Sequence, residues 1–230
     1  MSDIFNCQII KPLEKFRKTP VSSRTTDQRK ELIRSIADAI NTYLNVADPV
    51  EKYIKNVLCG FTKSLIDKIE DKYKTFYEDP ASTKYHGAYK GGLFDHSVAV
   101  YEAALRCAKI YGKEYGEISP IACIYHDLCK SGIYVFKTEK DKDGNEKTKI
   151  DFNQEAPEPI GHGAETLRRL YKLGVKLDEE WELAIYHHMG VFDSYTSKND
   201  VVAFSKITEK IPEVLLLHHA DMIACKIYHI

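Results

Sequence analysis

The chain has 230 residues, 43% of them hydrophobic, enough for one substantial core, so a single domain or a main domain with a smaller helical addition is expected. Its 33 basic and 34 acidic residues leave a formal net charge of −1, which excludes a global field that would draw it onto nucleic acid or an anionic membrane, although a local basic groove stays open. No uncharged apolar run approaches the roughly 20 residues that span a bilayer, and the start "MSDIFNCQIIKPLEKF" lacks the basic opening and apolar middle of a secretory signal, so a cytoplasmic, membrane-free protein is expected.

Residues 1–26 carry two prolines and the polar stretch "TPVSSRTT", which predicts a loosely ordered arm leading into a helix capped at Thr26 or Asp27. In that helix Leu32, Ile36, Ala39, Ile40 and Tyr43 recur at helical spacing. Asp48-Pro49 then opens a second helix, predicted to run through about Tyr77. Neither helix carries visible chemistry, so residues 1–78 are expected to form an arm and helical brace packed on a catalytic domain at 79–230.

A glycine-bearing loop, "EDPASTKYHGAYKGG", precedes "LFDHSVAVYEAALRCAKIYG", a helix predicted to stop at Gly112. Its Leu93, His96, Val100, Ala103, Ala104 and Cys107 share one face, so His96 points toward the core. Ser119-Pro120 has the form of an N-cap followed by an N1 proline, predicting a short helix whose carboxyl end presents His126 and Asp127 in "IYHDLCK". Two alternating runs flanking Asp143-Gly144-Asn145 predict a small β-hairpin near residues 133–152 in an otherwise all-α chain; it is either a lid over the preceding His-Asp pair or a solvated excursion. The loop "EAPEPIGHG" delivers His162 to the start of another helix. In "DEEWELAIYHHMG" Trp181, Ala184, Ile185 and His188 form one stripe, which makes His188 the inward histidine and His187 its neighbour. In the last helix Asp221 shares a face with Val214, Leu217 and Ala224.

The inward polar residues are therefore His96, His126, Asp127, His162, His188 and Asp221. Singly, each has an ordinary structural explanation. Together they are too many uncompensated buried polar groups for a core, unless they neutralise one another or hold a cation. Imidazoles and carboxylates suit the borderline divalent ions Mn, Fe, Co, Ni or Zn, with Mg also admitted. Lys130, three residues after Asp127, is placed either to meet a phosphate and act as a catalytic cation or to complement a helix carboxyl end. His86, Tyr89, Lys90 and His187 are candidate substrate contacts, and His218 a partner behind the ligands. Tyr89, Tyr134, Phe192 and Tyr195 either stack on a base or pack as ordinary aromatics. The six cysteines, Cys7, Cys59, Cys107, Cys123, Cys129 and Cys225, show no paired framework and read as free thiols.

The stretches "YHGAYKGGLFDHSV", "YHDLCKSG", "PIGHGAETL", "AIYHHMGVFDSY" and "LLLHHADMIACK" resemble, in this order, the HD-domain superfamily of metal-dependent phosphohydrolases, over roughly residues 85–228. They are similar to phage and prophage HD proteins and to the HD part of some bacterial 3′-to-5′ exonucleases. The resemblance implies a mostly helical HD fold in which His96, His126, Asp127 and Asp221 bind one metal and Asp127 bridges to a second held by His162 and His188. It implies hydrolysis of a phosphomonoester or phosphodiester, with a nucleotide or short oligonucleotide as the expected small phosphorylated substrate. Two other readings stay open: a mixed-valent di-iron oxygenase similar to inositol oxygenase, which uses the same ligand order, and a non-catalytic nucleotide-binding HD protein. No oligonucleotide-binding barrel is expected within these 230 residues and they carry no Gly-Tyr-Pro motif of the cyclic-dinucleotide enzymes, so neither substrate is carried over, and Ala164 stands directly after "GHG", before Glu165, where many phage-type relatives have an acid. Oligomeric state is not written in the sequence.

Overall fold

The computed structural model describes residues 5–46, 57–156, 161–190 and 198–230. Phe5–Ile10 forms a wide helical turn that runs into α1, Lys11–Lys18, and α2 spans Thr26–Val46. The cap of α2 is Thr25, one residue before the predicted positions: its Oγ1 accepts the Gln28 N–H at 3.2 Å, while Gln28 Oε1 accepts the Thr25 N–H at 2.9 Å. Leu32, Ile36, Ala39, Ile40 and Tyr43 are all buried, as their spacing predicts. The long helix expected from Asp48 to Tyr77 is broken. Residues 57–59 are helical, the chain turns at Gly60, and Thr62 caps a new helix, α3 at Lys63–Lys72, by accepting the Leu65 N–H. The predicted start of that helix at Asp48-Pro49 lies outside the described residues.

The central element is α4, Gly92–Cys107, which is buried on nearly every side. It packs against α1, against the short α5 at Pro120–Tyr125, and against α9 at Pro212–Lys226. Ser119 caps α5 by accepting the Ala122 N–H, so Pro120 at N1 removes no hydrogen bond. The tight approach to α4 needs glycine: Gly91 has φ 84° with the Arg29 guanidinium where a Cβ would stand, and a Cβ on Gly92 would lie on the Gly87 carbonyl. The strands β1, Tyr134–Lys140, and β2, Glu146–Phe152, pair antiparallel through the Asp141–Asn145 turn. Beyond them come α6, His162–Lys172, α7, Glu179–His187, and α8, Lys198–Lys210. The fold is thus mostly helical with one small hairpin, in agreement with the sequence.

One hydrophobic core draws on both ends of the chain: Phe5, Ile9, Leu13, Ile33 and Ile36 belong to it together with Phe94, Tyr101, Tyr125, Trp181 and Leu217. Each such fully buried large side chain stabilises the fold by roughly 1.5–3 kcal/mol. This overturns the expectation of a loosely ordered arm. Its physical reason includes charge, because two carboxylates on α4 are buried and must be compensated. Asp95 takes Arg29 at 2.7 Å and Arg24 at 2.9 Å, and Glu102 takes Arg17 at 2.7 Å and Arg106 at 2.8 Å. The amino-terminal segment supplies three of those four guanidinium groups.

Candidate metal centre

The carboxyl end of α5 presents His126 and Asp127, as expected, and α4, α7 and α9 bring His96, His188 and Asp221 to the same place. Asp127 stands at the middle. Its Oδ2 is 3.4 Å from His126 Nε2, 3.9 Å from His96 Nε2 and 2.7 Å from Lys130 Nζ, whereas its Oδ1 faces His188 Nε2 at 3.5 Å. Asp221 Oδ1 lies 3.1 Å from His96 Nε2. A ring nitrogen of His162, at the start of α6, belongs with the Asp127 carboxylate and the Cys129 sulfur to a group within 4.8 Å of one another. The structure therefore gathers the other five predicted residues around Asp127, Asp221 by way of His96.

Hydrogen bonds behind the rings decide what they present. His96 Nδ1 donates to the Ile230 main-chain oxygen at 3.2 Å, His126 Nδ1 to Cys123 O at 2.9 Å and His188 Nδ1 to Ile185 O at 2.7 Å. A main-chain oxygen only accepts, so each neutral ring carries its proton on Nδ1 and turns a bare Nε2 lone pair inward. The Nε2 atoms of His96, His126 and His188 and Oδ1 of Asp127 are buried without hydrogen bonds among the described residues. Where neither a proton nor a cation lies between them, such lone pairs repel a carboxylate. A bound cation turns that repulsion into coordination, so the donor set fits a divalent metal, which His96, His126, Asp127, His162, His188 and Asp221 could hold.

Burial pushes the Asp127 carboxyl up, but the Lys130 ammonium and His126 outweigh it and hold it well below the usual carboxylate range. Asp221 is likewise depressed, burial being overcome by His96. Lys130 is 6% exposed; burial alone would favour its neutral form, yet Asp127 raises it above the ordinary lysine value, so it is an ammonium at neutral pH. The turn bearing Lys130, Leu128–Lys130, is pinned from a distance. Arg169 donates to Leu128 O and Ser131 O, Glu165 orients Arg169 at 2.9 Å, and Asp79 Oδ2 accepts the Gly132 N–H at 2.7 Å. The sequence carried no local signal for these partners, which lie between 38 and 53 residues from the turn they hold.

A cavity of about 180 Å³ opens over the site, lined by His86, Lys130, His188, Met189, His218, Asp221, Met222, Cys225 and Lys226. His86 is there as expected, its ring 4.8 Å from that of His96, and burial pushes it down to about 3. His218 stands behind His188, donating from Nδ1 to the His188 carbonyl at 2.7 Å. Other expected substrate contacts point elsewhere. The Tyr89 hydroxyl donates to Asp95 at 3.1 Å, because that buried carboxylate needs donors, and the exposed Lys90 pairs with Glu78 at 3.3 Å. His187 packs its ring against Tyr186 and Phe204. Tyr134 packs on Phe152, while Phe192 and Tyr195 lie outside the described residues. No hairpin residue lines this cavity and the strands pair their own charges, Lys137 with Asp151 and Lys149 with Glu139, while at the hairpin base the half-buried Tyr134 lies within reach of the Lys130 and Asp127 charges. Sequence reasoning missed Met189, Met222, Cys225 and Lys226; Cys225 was findable, one helical turn after Asp221 on the same face.

A bundle of helices that converges histidines and aspartates on one buried carboxylate defines a class of metal-binding helical proteins. The HD domain family model matches residues 93–224, more than half of the chain, and the chain belongs to the HD-domain family. HD domains bind divalent metals and are generally metal-dependent phosphohydrolases. No curated protein and no solved structure matches the chain. Among the described residues, no helix is long and apolar enough to cross a membrane.

Proposed function

We propose that the protein hydrolyses a phosphomonoester or phosphodiester, of a nucleotide or short oligonucleotide, at a centre of two divalent ions bridged by Asp127. The observation that carries this reading is the convergence of the three bare Nε2 atoms on the two oxygens of Asp127, with His188 on one oxygen and His96 and His126 on the other, and with Asp221 beside His96 Nε2 at 3.1 Å. His96, His126, Asp127 and Asp221 would hold one ion, and His162, His188 and Asp127 the other. Bound divalent ions supply a water acidic enough to serve as nucleophile near neutral pH and a positive field for phosphate oxygens.

The remaining work belongs to the chain. The cavity of about 180 Å³ is below the roughly 300–1,000 Å³ of sites that enclose a drug-sized ligand, so it admits the phosphoryl group while the rest of the substrate extends outward. Lys130, held as an ammonium on the cavity wall, stabilises the charge that builds on the phosphate oxygens. Lys226 adds a second cation at the mouth, suited to an anionic ester. The buried walls limit the water that screens these charges.

Hydrolysis of an aryl phosphodiester and of nucleoside phosphates with added Mn, compared between wild type and Asp127→Ala, tests the proposal. Turnover by the wild type and none by the variant, which also loses bound metal, is the expected result. No turnover in either protein would reject it, and iron content with oxygen uptake, or nucleotide binding without turnover, would then separate the oxygenase from the binding protein.

A further inference from the structure

His86, Cys225 and His96 meet at the mouth of the centre, where one ligand atom from each lies within 4.8 Å of the other two. The loop before α4 delivers His86 and α9 delivers Cys225; both line the cavity, and His96 lies fully buried beneath them. The Nε2 atoms of His86 and His96 are buried and make no hydrogen bond among the described residues. Cys225 donates its S–H to Asp221 Oδ1 at 3.4 Å, which holds its sulfur beside the imidazoles. One thiol and two imidazoles make a softer donor set than the carboxylate-centred group around Asp127.

We propose that His86, His96 and Cys225 form a distinct metal position, selective for thiophilic divalent ions such as Zn²⁺ and Co²⁺ over Mn²⁺ and Mg²⁺. A tetrahedral ion with ligands at roughly 2.0–2.3 Å needs donor atoms about 3.5 Å apart, within reach of side-chain adjustment at His86 and Cys225. On binding, the Cys225 thiol releases its proton to solvent and the sulfur lone pair forms the metal bond, with no change of oxidation state. His96 has one nitrogen to give, because its Nδ1 donates to Ile230. It can therefore serve this position or the Asp127–Asp221 centre, but not both, so a thiophilic ion at the mouth disables the hydrolytic arrangement. The competition, though not the position itself, rests on the metal centre proposed above.

Cobalt titration of the full chain, followed by near-ultraviolet absorption and by bound-metal content, tests this. A thiolate-to-cobalt charge-transfer band should appear in the wild type and in Asp127→Ala. It should be absent from Cys225→Ser, and His86→Ala should need at least 10-fold more cobalt to reach it. Manganese binding by a wild type that takes up cobalt without the band would overturn this inference and leave the Asp127 centre standing. A band that persists in Cys225→Ser would also overturn it, assigning the sulfur to another cysteine. Failure to bind either metal would overturn both readings.

Discussion

The Lys130 ammonium lies 2.7 Å from Asp127 Oδ2, and both side chains are buried at the meeting point of the histidines. In the metal-free protein Lys130 is thus the nearest permanent cation compensating the carboxylate. Bound ions would share that duty. Lys130→Met should therefore destabilise the chelated protein by about 3–5 kcal/mol, the cost of leaving a buried charge unpaired, and the Mn-loaded protein by clearly less. Urea unfolding of both forms measures the difference, and equal losses with and without metal would contradict this account.

Asp95 precedes His96 on α4 and is clamped by Arg24 and Arg29. Asp95→Asn strands two buried guanidinium groups, so a loss of about 3–5 kcal/mol is expected from the urea midpoint. A loss below about 1 kcal/mol, the range of exposed ion pairs, would mean that the clamp does not hold the amino-terminal segment on the bundle.

Gly163 follows His162, and a Cβ there would lie on the Ile185 and Tyr186 carbonyls of α7. Ile185 O is also the acceptor that orients His188. Gly163→Ala should force α6 and α7 apart, costing about 1–3 kcal/mol and lowering metal retention along with it. Unchanged metal content per folded chain would show that the two helices separate without moving His162 or His188.

Glu165 is pushed up by burial but held below its ordinary range by Arg168 and Arg169. A depressed folded-state pKa contributes stability that is complete above the unfolded value of about 4.3 and is lost as pH falls through the lower folded value. Glu165→Gln should accordingly melt below the wild type at pH about 6, with the gap closing as pH drops under about 4. A gap independent of pH would assign the effect to packing.

The elements legible in the sequence were those with local signals. Ser119-Pro120, the Asp143-Gly144-Asn145 turn and the stripe that turned His188 inward all depend on neighbours within a turn or two, whereas the helix expected to stop at Gly112 ends at Cys107 and tightens into a 3-10 turn, Ala108–Tyr111, that Gly112 closes. The predicted arm went the other way. "TPVSSRTT" is polar enough to read as loose chain, yet Arg24 and Arg29 are held by Asp95 across 71 and 66 residues, a pairing that no periodicity announces. The break at Gly60 was missed for a related reason: helical spacing continues on both sides of it, and only Thr62 as a cap marks the new start.

The sequence by itself determined the helical class, the hairpin, the HD family and the histidines and aspartates that face inward, because side-chain periodicity and short motifs are properties of neighbouring residues. Only the tertiary structure decided which atoms they present. The His96 ring proton is held by the main-chain oxygen of Ile230, 134 residues on, whereas His126 and His188 use carbonyls three residues before them, and it is the packing that aims all three Nε2 atoms at Asp127. Lys130 and Asp127 became a buried pair, Tyr89 was drawn to Asp95 and away from the cavity, and Cys225 was placed beside His86. Each of these outcomes follows from burial, which penalises a polar atom left without a partner and so draws it to whichever one the packed chain brings within reach.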